Sequence, residues 1–279
     1  MQTSTTPRFW PALCILLVLA LLPHGATAQP KNGSEITLAA AVLHFGYQEF
    51  DDYGTLLDRE DGNIPGFFIG LSHASDRWVF AGDVAYHTGD VTYSGQTQAG
   101  TPVITHTLAS ITDLSLHAEY WPDSDYAFYL GGGHHQWDRD IQSGSDVNGG
   151  AVSGLLEHYT WWSGFVGVKA VVHESRSANW TMDLRLLQTI NPAINLTPAQ
   201  YDNVTMPLGE RMGVRFALPW RHKLNLTTSL NIEPYAESFE FGRSATTPLT
   251  QNGTVVGSLF EPRSQTINYG MTLGVNQRF

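Results

Sequence analysis

The chain has 279 residues, with 15 Lys and Arg against 26 Asp and Glu for a formal charge of −11. That balance argues against nucleic acid as a partner, and a single cysteine, Cys14, leaves no disulfide to hold the fold. A charged fraction of only 15%, with 27 glycines and 11% aromatics, suits sheets that pack side chains on one face and meet lipid on the other.

The chain opens on Arg8 and the apolar run Ala12–Leu22; Pro23 and Gly25 then break any helix ahead of Ala26-Thr27-Ala28. A positive start, a short apolar core and an A-x-A site predict a cleaved signal peptide over 1–28. The apolar run is too short for a membrane anchor, which needs roughly 20 residues. Pro11-Ala12-Leu13 before Cys14 lacks the small residue that lipidation needs next to the cysteine. Residues 29–279 are then one domain, without cysteine, linker or internal repeat. No later segment approaches the length of a transmembrane helix.

Apolar residues then recur at alternate positions, the period of a strand whose faces meet different surroundings. This predicts strands near 36–50, 65–74, 78–92, 105–121, 126–139, 155–174, 179–190, 209–219, 223–241 and 264–279. Most reach the 9–11 residues that a tilted strand needs to cross a bilayer. Short breaks at Ser75–Arg77, Pro122–Asp125, Ser175–Ala178 and Trp220–His222 have tight-turn composition. They alternate with longer polar connections at 51–64, 93–104, 140–154, 191–208 and 242–263. The expected fold class is all-β: an antiparallel transmembrane barrel of ten strands, with eight or twelve as alternatives.

The faces agree from strand to strand. Trp78, Phe80, Val84 and Tyr86 would meet lipid while Ala81, Asp83, Ala85 and His87 point inward. Likewise Trp180, Met182, Leu184 and Leu186 oppose Asp183 and Arg185, and Met212, Val214, Phe216 and Leu218 oppose Arg211, Gly213 and Arg215. On the ninth strand Leu224, Leu226, Leu230 and Ile232 oppose Asn225, Ser229, Asn231 and Glu233. Trp78, Trp121, Tyr126, Trp162, Trp180 and Trp220 stand at strand ends, the level that amphipathic rings favour. The last strand sets Tyr269, Met271, Leu273, Val275 and Phe279 outward and ends on the aromatic.

Signal peptide, alternating strands and terminal Phe279 together resemble the outer-membrane β-barrel proteins of Gram-negative bacteria. The stretch from Arg59-Glu-Asp-Gly-Asn-Ile-Pro-Gly66 to Gly95-Gln-Thr-Gln-Ala-Gly-Thr-Pro102 resembles uncharacterised proteobacterial members of that class, and brings no activity with it. The resemblance implies export to the cell outer membrane. Its partners there would be membrane lipid, lipopolysaccharide and, during biogenesis, the barrel-assembly machinery, which would read Tyr269, Met271, Leu273, Val275 and Phe279. No cofactor and no metal are implied.

The inward faces collect Asp83, His87, Asp113, His117, Glu119, His135, Lys169, Asp183, Arg185, Arg211, Arg215, Glu233 and Glu237. Unpaired ions removed from water are strongly unfavourable, so these would pair across a narrow lumen. The sharper alternative gathers Asp83, His87, Asp113 and His117 into an acid–base or metal cluster. Each pair is spaced i, i+4, about 13 Å along a strand, too far for one pair to hold one ion. Ten strands is also the size of the omptin surface proteases, but the Asp-x-His triplet of their dyad is absent. His73-Ala-Ser75 and His173-Glu-Ser175 match the His-x-Ser pair of outer-membrane lipid hydrolases, yet both fall at short turns. His134 and His135 point to opposite faces. The acidic stretch Asp51–Asn63 does not match an EF-hand and reads as a solvated loop. The expected role is structural or surface-interacting; a small pore is the second reading, and an enzyme acting on lipid or peptide the third.

Overall fold

The computed structural model describes residues 32–97 and 99–279. The signal peptide expected over 1–28 lies outside the described residues. Ten strands of the described residues form the wall: β1 (Gly33–Phe50), β2 (Leu56–Ser75), β3 (Trp78–Gln96), β4 (Pro102–Tyr120), β5 (Tyr126–Ile141), β6 (Leu155–Glu174), β7 (Ala178–Pro198), β8 (Met212–Ala217, resumed over Trp220–Lys223), β9 (Thr228–Phe241) and β10 (Arg263–Arg278). Each pairs antiparallel with its sequence neighbours. The wall closes because β1 pairs with β10 as well as β2, with Leu38 opposite Val275 on one side and Ile69 on the other. Closure leaves no free edge.

The strands are up to 21 residues long, about twice what a bilayer crossing needs. Their outward faces change character midway. On β2 the outward series runs Leu71, Ile69 and Phe67 near the chain ends, then Pro65, Asn63 and Asp61 beyond. On β10 it runs from exposed Val275, Leu273, Met271, Tyr269 and Ile267 to Gln265 and Arg263. The apolar parts join into a belt around the half of the barrel that holds the start of β1 and the end of β10. A soluble protein does not expose a continuous apolar girdle, whereas a membrane barrel requires one.

This change of character explains where the sequence and the structure differ. Above the belt the pleat continues but most outward positions are polar, so the strand loses its apolar signal. The connections expected over 51–64, 93–104 and 191–208 are therefore largely wall: β2 begins at Leu56, β3 runs to Gln96 and β7 to Pro198. Val204–Pro207 returns along β7, pairing with Ala193–Leu196. Within the expected solvated loop, Asp58 and Glu60 instead point inward and are buried.

A second correction concerns β8. Pro219, without an N–H, interrupts the strand, which then resumes with Trp220 opposite both Ile232 and Trp180. The expected turn Trp220–His222 is thus strand. The actual turn follows at 224–227, where Asn225 Oδ1 accepts from the backbone N–H of Thr227 and Thr228 at 2.9 and 2.8 Å. Leu224 and Leu226, expected on the lipid face, lie in that turn, and Leu226 is 99% exposed. Trp121, expected at the headgroup level, instead packs inward against Ala127 and Val171.

Inside, aromatic rings lie across glycines of the neighbouring strand. Tyr129 faces Gly167, Tyr235 faces Gly270 and Phe165 faces Gly131. A Cβ on any of these glycines would stand within 2.2–2.6 Å of the ring. The missing side chains let the rings lie flat on the wall and fill the lumen, a device that also pins strand register.

Candidate functional site

The barrel encloses a cavity of about 500 Å³, within the usual range for small-molecule sites. Gly33, Ser34, Glu35 and Arg278 line it where β1 begins and β10 ends, and Leu43, Phe45, Ile111, Trp137, Trp161 and Phe239 form its ceiling. The ceiling is packed aromatic on aromatic. Phe45 meets the Trp137 ring edge-on at 5.2 Å, and Trp161 meets Phe241 at 5.1 Å. Tyr47, Tyr159, Ile194 and Met206 fill the layer above with no exposed surface.

Beyond that layer Arg139, 0% exposed, stands among buried carboxylates. It donates Nη1 to Glu49 Oε1 at 3.1 Å and Nη2 to Glu60 Oε1 at 3.1 Å, and bonds Glu157 as well. Its guanidinium lies over Tyr47 at 4.4 Å and Trp137 at 5.2 Å. Thr107 donates to Glu60, Tyr47 to Glu49 at 2.8 Å, Tyr159 to Glu261 at 2.7 Å and Tyr93 to Asp58 at 3.3 Å. Five buried carboxylates against one guanidinium cannot all be ionised. Glu261 lies in the connection before β10: burial, then the charges of Glu49 and Glu157, push its carboxyl well above the ordinary range.

The ions expected in the lumen line the cavity below the ceiling, with one exception. Arg211 precedes β8, is exposed at the far rim and donates to the Glu210 carbonyl at 2.9 Å. Lys169 pairs with Glu119, which also accepts from His117 at 3.0 Å and from Trp121 at 3.2 Å. Asp183 accepts from Tyr129, and Arg215 donates to Glu233 at 2.8 Å while stacking on Tyr235. Arg185 lies over the Phe165 ring at 4.2 Å.

Register divides the proposed Asp83, His87, Asp113 and His117 cluster. Asp83 lies opposite Ser115 and His87 opposite Ile111, so each is displaced by one inward position from Asp113 or His117. Asp83 takes the Ser115 hydroxyl at 2.7 Å, and His117 goes to Glu119. His87 is 4% exposed and neither ring nitrogen has a partner. Asp113 turns the other way, to β5, where His135 Nδ1 is 2.6 Å from Oδ1. His135 Nε2 in turn is 2.8 Å from Ser163 Oγ on β6. Among the described residues no group of three or more His, Asp, Glu or Cys side chains is placed to hold a metal.

No protein-family model and no curated protein matches this chain. Among solved structures it is similar to the outer membrane protease OmpT from Escherichia coli, with a TM-score of 0.58 and 10% identity over 92% of this chain and 99% of that one. The translocator domain of the autotransporter NalP from Neisseria meningitidis is a looser match, with a TM-score of 0.46 and 12% identity over 96% and 94%. The chain has the fold of an outer-membrane β-barrel. At 10% identity the likeness is one of fold, and function must be argued from the barrel's own side chains.

Two groups escaped the sequence reading of this barrel. Arg139 sits in the polar upper half of β5, where alternation carries no apolar signal. Ser163 shares the inward parity of Tyr159 and Trp161 on β6, which sequence could have shown. Its place beside His135 depends on the pairing of Gly133 with Ser163, which sequence does not give.

Proposed function

We propose that the protein is a non-conducting barrel of the Gram-negative outer membrane with a structural or surface-presenting role. The observation that carries this reading is the double closure at the loop end. The aromatic ceiling stops the cavity, and the Arg139 ion cluster fills the barrel above it. A ten-stranded barrel is only somewhat wider than the eight-stranded kind whose side chains fill the interior, and far narrower than open porins. The apolar belt would sit in outer-membrane lipid. Short turns and both termini would face the periplasm, and the long connections would face lipopolysaccharide outside.

Planar bilayers containing the pure, heat-modifiable protein test this reading. The expected result is no sustained large conductance. Stable openings on the nanosiemens scale would replace it with a small pore.

A further inference from the structure

We propose that Asp113, His135 and Ser163 form an acyl-transfer site inside the barrel, acting on carboxylic esters with an apolar acyl chain that enter from the end holding the termini. The three side chains come from adjacent strands β4, β5 and β6 and line one cavity. An ionised carboxylate only accepts, so Asp113 fixes the imidazole proton on Nδ1, 2.6 Å away. Nε2 is then left as acceptor for the Ser163 hydroxyl at 2.8 Å. That is the order of roles that activates a serine nucleophile. Trp161 stacks on His135 at 4.9 Å and 10° and fixes the ring plane. Gly133 leaves the space the contact needs, because a Cβ there would stand 3.1 Å from His135 Nε2 and 3.2 Å from Ser163 Oγ.

Two further observations point to a ligand. His87 lines the same cavity with both ring nitrogens buried and unpartnered, and such groups mark where a missing partner belongs. Arg185 stacks on Phe165, two residues from Ser163 on the same face, and its described contacts include no carboxylate. It is a cation available to developing negative charge or to an anionic head group. The aromatic ceiling above is apolar, while Glu35, Arg221 and Arg278 line the cavity at its other end, where β1 begins. An acyl chain would therefore point inward and its polar head toward the opening.

The chemistry balances with water as the second reactant. Ser163 Oγ gives its proton to His135 Nε2 and bonds to the ester carbonyl carbon. The carbon–alkoxy oxygen bond then breaks, and His135 returns the proton to the leaving alcohol. Water, deprotonated by His135, attacks the acyl-serine, releasing the acid and restoring the serine hydroxyl.

The test uses a fluorophosphonate probe on the full-length protein in detergent, with heat-modifiability as the check on folding. The expected result is one phosphonyl group on Ser163, none after thermal unfolding, and none in Ser163→Ala or His135→Ala. Asp113→Asn, a change at a positioning residue, should lower the maximal labelling rate by a factor on the order of 10⁴ without moving the half-saturating probe concentration. Ser115, bonded to Asp83 without an imidazole, supplies the internal control, and Ser115→Ala should label like wild type. No label on Ser163 of the folded protein, or label that survives Ser163→Ala, overturns the proposal. So does a half-saturating concentration that rises in Asp113→Asn while the maximal rate holds.

Discussion

Arg139 on β5 and Glu60 on β2 form a two-pronged ion pair three strands apart along the wall, with Nη2–Oε1 at 3.1 Å and Nε–Oε2 at 3.3 Å and neither side chain exposed. Planar, paired contacts of this kind are the strong ones. Here they tie non-adjacent strands of the wall together above the apolar belt. Arg139→Met would leave Glu49, Glu60 and Glu157 buried without their cation, at a cost of about 3–5 kcal/mol. Its urea midpoint should fall well below wild type in detergent. Arg139→Lys keeps the charge but not the fork, and should fall in between. A Met variant as stable as wild type would mean that the cluster does not hold the barrel's outer half.

Two carboxyls with opposite pH behaviour hold the connection between β9 and β10: Glu261 from within it, and Asp202 from the connection between β7 and β8. Glu261 has its pKa raised by burial and by neighbouring carboxylates. Its contribution is present in full below the ordinary carboxylate value and is lost as pH rises through the raised one. Asp202 accepts from the backbone N–H of Gly253 at 2.9 Å and Asn252 at 3.1 Å, and these bonds hold its pKa low. Its contribution is present above the ordinary value and is lost as pH falls through the lowered one. Limited proteolysis over 242–262 should therefore quicken when pH is raised from about 5 to about 9. Glu261→Gln should remove most of that increase. An unchanged pH response in Glu261→Gln would assign it to another group.

The apolar belt was legible because lipid imposes one face on every strand, as at Phe67, Ile69 and Leu71 on β2. The upper wall was not, because Asn63, Asp61 and Arg59 face water there and carry the composition of a loop. Pleating does not require hydrophobicity, so strand geometry outlived its signal. Inward parity placed Asp113 and His135 on the lumen side, but parity is a property of one strand. Which residues meet across strands depends on register, so Asp83 finds Ser115 and Asp113 finds His135. Trp220–His222 shows a different limit: its composition signalled a turn where the wall only pauses at Pro219 and resumes at Trp220.

Gly131 tests the packing of rings onto the wall. A Cβ there would lie 2.4 Å from the Leu116 carbonyl oxygen and 2.6 Å from the Phe165 ring. The ring could turn, but the carbonyl belongs to the paired wall and cannot move alone. Gly131→Ala should destabilise by about 1–3 kcal/mol as an overpacked core change. Gly257 meets nothing within 4 Å, and Gly257→Ala should stay within roughly 0.5 kcal/mol of wild type. Equal urea midpoints for the two variants would show that the glycines are not there to admit the rings.

The last residue closes the barrel in a literal sense. Phe279 donates its N–H to the Ser34 carbonyl at 3.0 Å and accepts from the Ser34 N–H at 3.2 Å, fastening the end of β10 to the start of β1. Its ring is 75% exposed at the rim of the apolar belt and packs no core. Until β10 pairs with β1, both edges carry unpaired backbone groups that hydrocarbon cannot satisfy, so we expect assembly to depend on holding this strand. Deleting Phe279 removes two hydrogen bonds out of a long ladder and little packing, which is a small loss for a finished barrel. A large fall in outer-membrane level would therefore reflect recognition during assembly rather than stability. We expect that fall, with unfolded chains degraded in the periplasm, and a nearly silent Phe279→Tyr. Purified deletion protein refolded in detergent should keep a urea midpoint close to wild type. Normal accumulation of heat-modifiable deletion mutant in cells would reduce Phe279 to an ordinary terminal residue.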